Sequence, residues 1–137
     1  TPIAAMARRA RLLGMDYEIH YSGRGRARMA LLAELQAEHG ERLVVHASDE
    51  GRRVDLPALL AAPRADTRIY ACGPNPMFQS LAEVLRNNGR RQSPEILMEE
   101  NMPCGWGMCY GCAIFTKNHG VKLCCKDGPR FNLFEVF

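Results

Sequence analysis

Residues 16–48 read DYEIHYSGRGRARMALLAELQAEHGERLVVHAS. DYEIHYSG puts Tyr17, Ile19 and Tyr21 on one side at the period of two that a strand requires. Arg26 to His39 then spaces Met29, Leu32, Leu35 and Gln36 three or four apart, which predicts a helix that Gly40 closes. RLVVHAS is almost continuously apolar, the pattern of a strand covered on both faces. A strand, a helix and a second strand of that kind form the crossover unit of a parallel sheet.

The same alternation extends in both directions. Upstream, Thr1-Pro2 reads as a helix start, with Thr as cap and Pro in the first turn. Ile3, Met6, Ala10 and Leu13 follow at helical spacing, and Gly14 stops the helix. Downstream come a short helix in LPALLAA, a strand in TRIYACG, a turn in PNP, a helix in MFQSLAEVLRNNG and a strand in PEILMEE. This order predicts an α/β fold, a doubly wound parallel sheet with crossover helices. Such a domain opens on a strand and a Gly-rich turn, whereas this chain opens on the helix that follows them. The first strand is therefore expected to be missing, and the chain to be a C-terminal fragment. The expected division is an α/β domain over 1–97 and a small Cys-rich module over 98–137, where the composition shifts.

Composition narrows the functional classes. The chain has 137 residues, 47% hydrophobic and 24% charged, with a formal net charge of +3. That charge is too mild to argue for a nucleic-acid partner. No apolar run approaches the roughly 18 residues of a membrane span. TPIAAMARRARLLG reads as a helix with arginines along one side rather than a signal peptide. The cytoplasm is the expected compartment, and there clustered cysteines are metal ligands more often than disulfides.

Five of the six cysteines lie in MPCGWGMCYGCAIFTKNHGVKLCCKDGP, residues 102–129. The spacing is Cys104-x4-Cys109-x2-Cys112, then Cys124 and Cys125. Structural zinc sites usually pair two short knuckles, and only one CxxC is present here. The x4-then-x2 order matches the plant-type 2Fe–2S pattern. Gly105, Gly107 and Gly111 let the backbone approach a small inorganic core and aim N–H groups at sulfur. A fourth thiolate is expected from the return strand VKLCC, after a turn at Asn118-His119-Gly120. Neighbouring strand residues face opposite sides, so one of Cys124 and Cys125 faces the cluster. Trp106 is expected either to shield this loop or to anchor the core. A zinc-stabilised binding module and a disulfide knot are the competing readings.

Three further places invite a ligand. The helix start at Thr1-Pro2 can receive an anion, or be an ordinary cap. Gly23, Arg24 and Arg28 lie at a strand's C-terminal edge, where open α/β sheets bind ligands. There the arginines can grip an adenosine ribose or a 2′-phosphate, or form a solvated charged turn. Cys72, Gly73 and Pro74 also sit at a strand end, where glycine admits a ligand close to the backbone; read by itself, a strand-end cysteine such as Cys72 is more often a small buried hydrophobe. His20, His39, His46 and His119 show no ligand spacing.

MPCGWGMCYGCA…VKLCCKDGPRF resembles the C-terminal cluster module of the electron-transfer subunit of type B dihydroorotate dehydrogenase. Subunits of sulfhydrogenases and of NADH-dependent ferredoxin:NADP reductases are similar. In that family the fourth ligand directly precedes x-Asp-Gly-Pro. The resemblance therefore implies Cys104, Cys109, Cys112 and Cys125 as ligands of a 2Fe–2S cluster, with Cys124 as a buried neighbour. YACGPNPM resembles the Cys-Gly-Pro-x-x-Met signature of the ferredoxin-reductase superfamily, and Thr1-Pro2 the end of its Gly-rich-loop-Thr-Pro motif. This implies an NAD(P) site with Thr1, Pro2, Gly23, Arg24, Arg28, Cys72, Gly73, Pro74 and Met77, in which Cys72 lies nearest hydride transfer. FAD would be bound mainly by a β-barrel domain that this sequence does not contain. The implied function is electron transfer in an NAD(P)-linked oxidoreductase, with a flavin-bearing catalytic subunit as partner in a hetero-oligomer. YSGRGRARMALLAEL also resembles reductase components of aromatic-ring oxygenases, which makes an oxygenase reductase the alternative.

Overall fold

The structure, a computed structural model, describes residues 2–61 and 66–137, so Thr1 lies outside the described residues. The chain forms two compact units, Thr1–Asp55 and Leu56–Phe137.

The first unit is built from α1 (Pro2–Leu12), β1 (Ile19–Gly23), α2 (Leu32–His39) and β2 (Leu43–Ala47). β1 and β2 pair in parallel, from Ile19 opposite Leu43 to Gly23 opposite Ala47. Ala4 and Ala7 of α1, Leu32 and Leu35 of α2, and Ile19, Met29 and Leu43 make its core. The helix expected over Arg26 to His39 is interrupted. Arg26–Arg28 closes a single 3-10 turn, and Leu31 adopts a left-handed φ of 59° before α2 begins. Met29 explains the break. It is buried, and its side chain occupies the space that a Cβ on Gly23 would need. Seating Met29 in the core therefore takes precedence over continuing the helix. Arg8 on α1 forks onto Glu38 on α2 at 2.6 and 2.9 Å, an exposed pair that orients more than it stabilises.

The second unit contains α3 (Leu56–Leu60), β3 (Tyr70–Cys72), α4 (Asn75–Asn87), β4 (Glu95–Leu97), β5 (Ala113–Phe115), β6 (Val121–Leu123), α5 (Cys124–Asp127), β7 (Arg130–Asn132) and α6 (Leu133–Val136). β3 and β4 are parallel, with α4 as their crossover. β7 returns antiparallel to β4, with Phe131 opposite Ile96. Residues on both sides of position 97 thus share one sheet and one core. Phe78, Leu81, Ala82 and Leu85 of α4 pack there with Ile96, Met98, Cys112, Cys124, Phe131 and Leu133. Burying a side chain such as Phe78 stabilises the fold by about 1.5–3 kcal/mol. α4 begins at Asn75, two residues before the expected Met77, because Pro76 fits a first helical turn that needs no N–H from it.

β5 and β6 form an antiparallel hairpin. In its turn, the Gly120 N–H donates to the Thr116 hydroxyl at 3.1 Å, and His119 takes a left-handed φ of 59°. Cys124 and Cys125 do not continue β6 as a strand; they open α5. Among the described residues no helix is long and apolar enough to cross a membrane.

Candidate metal centre

The segment from Asn101 to Gly111 carries no strand or helix and bends by local chemistry. Gly105 and Gly107 take φ of 75° and 84°, and Tyr110 one of 56°. A Cβ on Gly107 would lie 3.1 Å from Leu123 and 3.3 Å from Lys126. Only glycine lets this loop close down on the β6–α5 junction.

Around that closure four thiols stand as two pairs. The backbone N–H of Cys109 points at the Cys104 sulfur, followed by that of Trp106, with the Cys109 thiol next to it. These donors favour the thiolate and bring the Cys104 thiol down to about 6. The Cys109 sulfur in turn accepts from the Gly111 N–H at 3.4 Å. In the second pair, the Cys125 N–H donates to the sulfur of Cys112 at 3.4 Å. Contact with the Cys112 thiol raises the Cys125 thiol, and burial and the Cys112 charge add to it; the Gly107 N–H acts in the opposite direction. The charge on Cys104 also reaches Cys125, which links the two pairs.

Cys124 is set apart. It is 0% exposed, and its thiol donates to the Met98 carbonyl at 3.8 Å. Burial pushes this thiol up. α5 thus does what a strand would have done, sending one cysteine inward and its neighbour towards the loop. Asp127, the acidic residue of the x-Asp-Gly-Pro signature, steadies this junction by accepting from the Leu123 N–H at 2.7 Å.

Among the described residues no three Cys, His, Asp or Glu side chains are gathered as a single-ion site. Two adjoining thiol pairs suit a dinuclear core better, because each iron of a 2Fe–2S cluster takes two protein sulfurs. Backbone N–H groups already directed at sulfur supply the surroundings such a core needs. Trp106 is no core anchor: it is 76% exposed, and Met108 and Tyr110 are exposed beside it.

The proposed nucleotide residues lie at strand ends and on the turns and helix starts beside them. In the second unit, Cys72 is exposed at the end of β3, and Met77 lies across Gly73 where a Cβ would stand, 2.7 Å from its methyl. The Met77 N–H donates to the Pro74 carbonyl at 2.9 Å, which brings Cys72, Gly73, Pro74 and Met77 together. In the first unit, Gly23 ends β1, Arg24 and Arg28 are exposed on the following turn, and Pro2 opens α1.

Residues 99–137 match the family model of the iron–sulfur cluster binding domain of dihydroorotate dehydrogenase B. Over 135 residues the chain is 30% identical to the "Dihydroorotate dehydrogenase B (NAD(+)), electron transfer subunit homolog" of Aquifex aeolicus, covering 98% of this chain and 52% of that protein. Over 82 residues it is 46% identical to the toluene-4-sulfonate monooxygenase system reductase subunit TsaB1 of Comamonas testosteroni, covering 59% of this chain and 26% of that one. Among solved structures, an NADH-dependent reduced ferredoxin-NADP oxidoreductase shares the fold, with a TM-score of 0.70 at 19% identity over 96% of this chain and 48% of that one. The chain spans about half the length of the dihydroorotate dehydrogenase relative.

Proposed function

We propose that this chain, whose residues 99–137 match the model of the iron–sulfur cluster binding domain of dihydroorotate dehydrogenase B, is the nucleotide and cluster portion of an electron-transfer subunit. The paired arrangement of Cys104 with Cys109 and Cys112 with Cys125 carries the reading. These four hold a 2Fe–2S cluster, while Cys124 stays in the core as a thiol. Residues 1–97 are assigned to pyridine-nucleotide binding and 98–137 to the cluster module. Thr1, Pro2, Gly23, Arg24 and Arg28 of the first unit, and Cys72, Gly73, Pro74 and Met77 of the second, are the residues assigned to NAD(P) binding. Cys72, exposed at the end of β3, orients the nicotinamide.

When bound, nicotinamide and flavin would supply hydride exchange and the cluster held by Cys104, Cys109, Cys112 and Cys125 would supply one-electron passage. The protein's share is position and potential. N–H groups directed at Cys104 and Cys109 favour added negative charge, and the buried Cys112 keeps water from one side. The partner is a flavin-bearing catalytic subunit that converts dihydroorotate to orotate, in a hetero-oligomer in the cytoplasm.

A second reading, the reductase of an aromatic-ring oxygenase, is supported by the 46% identity with the toluene-4-sulfonate monooxygenase reductase. Anaerobic reconstitution with iron and sulfide tests the shared claim. A brown protein with two irons and two sulfides per chain, paramagnetic when reduced, is expected; a colourless protein that takes up only zinc would overturn it. Electron transfer from the reduced protein to a dihydroorotate-oxidising subunit, but not to an oxygenase, separates the two readings.

A further inference from the structure

The parallel strands of the second unit have two ends. Cys72, Gly73 and Pro74 lie at the C-terminal end of β3; the opposite end, where β3 and β4 begin, opens into a cavity of about 240 Å³. One wall is the segment that leads into β3, with Arg68 and Tyr70. The other is the turn that joins α4 to β4, with Arg90, Gln92 and Glu95. The Glu95 N–H donates to the Ile69 carbonyl at 3.0 Å and ties the two walls together.

Two arginines line this cavity, and they are held differently. The Arg90 guanidinium reaches across and donates from Nη2 to the carbonyl of Thr67, the neighbour of Arg68. Its Nε is buried and meets no acceptor among the described residues. A buried N–H without an acceptor is costly, and native proteins pair such groups with a ligand, an ion or water. Arg68 is exposed and enters no ion pair among the described residues. The one acid of the lining, Glu95, accepts from Arg130 Nη1 at 2.8 Å, so its charge is already paired. The Tyr70 hydroxyl and the Gln92 amide add neutral donors.

The cavity therefore carries uncompensated positive charge in forked form, in a lining more polar than apolar. Guanidinium forks match the oxygens of a phosphate group through paired N–H bonds. The volume lies below the roughly 300–1,000 Å³ of pockets that take drug-sized ligands, so the ligand is small. We propose that this cavity is a binding site for a small phosphate monoester, with Arg68 and Arg90 gripping the phosphate and Tyr70 and Gln92 completing its hydrogen bonds. The site lies within the second unit, at the strand ends opposite Cys72, and does not depend on the nucleotide reading above.

Calorimetric titration of the whole chain with glycerol 3-phosphate, in a phosphate-free buffer, tests it, with glycerate as a carboxylate of similar size. The ester is expected to bind saturably at one site per chain and at least about tenfold more tightly than glycerate. Arg68→Ala, which breaks no ion pair among the described residues, should weaken the ester about tenfold. Arg68→Lys should restore part of that loss, because lysine keeps the charge and lacks the fork. Arg91→Ala, exposed beside Arg90 but outside the cavity lining, should leave the affinity unchanged. Equal losses in Arg68→Ala and Arg91→Ala would reveal a diffuse positive surface and overturn the proposal. Equal affinity for glycerate would overturn it, as would the absence of saturable binding. Displacement of the ester by NADPH would assign the phosphate to the nucleotide site and overturn it too.

Discussion

Cys124 and Cys125 are adjacent in sequence and opposite in chemistry. Cys125 meets the Cys112 thiol and the Gly107 N–H, whereas Cys124 is sealed in the core against Met98. Cys125→Ser should therefore lose most of the iron on anaerobic reconstitution, and Cys124→Ser should retain it, measured as iron per chain. Gly107→Ala should also lower iron content. It places a side chain at φ 84°, a strain of about 1 kcal/mol, and pushes on Leu123 and Lys126. Gly89→Ala is the control: its φ is 69°, but nothing lies within 4 Å of the added carbon, so stability should fall and iron content should not. Cys104, brought to about 6 by the N–H groups around it, should be the first thiol alkylated by iodoacetamide at neutral pH in the metal-free chain. Its reaction should slow as pH falls through about 6, which peptide mapping of the labelled protein would show. At this scale the sequence was informative about thiols, because spacing limits which sulfurs can meet. It was silent about the directions of the Trp106 and Met108 N–H groups, which depend on loop dihedrals that no residue spacing encodes.

Helical periodicity over Arg26 to His39 was correct for α2 and misleading before it. The apolar spacing of Met29 and Leu32 is shared by a helix and by a turn that inserts Met29 beneath Gly23. What the pattern could not carry was the cost at Leu31, a partly exposed residue with a left-handed φ. Leu31→Gly should raise stability by about 1 kcal/mol in urea unfolding, since glycine takes that φ without strain. The β1–β2 pair carries a pH dependence. His20 and His46 stack across it with their ring nitrogens 3.0 Å apart. Burial, and then the His20 charge, holds His46 below its ordinary 6.5. The unfolded chain thus takes up a proton that the folded unit resists. Stability from this source is intact above about 6.5 and declines as pH drops below it towards the folded value. Urea midpoints at pH 7.5 and 5.5 should show the decline, and His46→Gln should reduce it.

Across the whole chain, the parallel pairs β1–β2 and β3–β4 were legible because their crossover helices are punctuated by Gly40 and by Asn88-Gly89. β7 was not, because its three residues, Arg130–Asn132, show too little alternation to announce a strand; pairing with β4 defines it. That pairing ties the cysteine segment to the α4 core. Removing iron should accordingly speed amide exchange in residues 101–127 most and leave β1 and β2 unchanged, as deuterium uptake followed by mass spectrometry would report. The exposed indole of Trp106 has a practical use. As the chain's sole tryptophan, set between two of the proposed ligands, it is a built-in lamp: its emission should be that of a water-bathed fluorophore in the empty protein and should dim by energy transfer as the coloured centre assembles. Occupancy could then be followed in real time without any added dye.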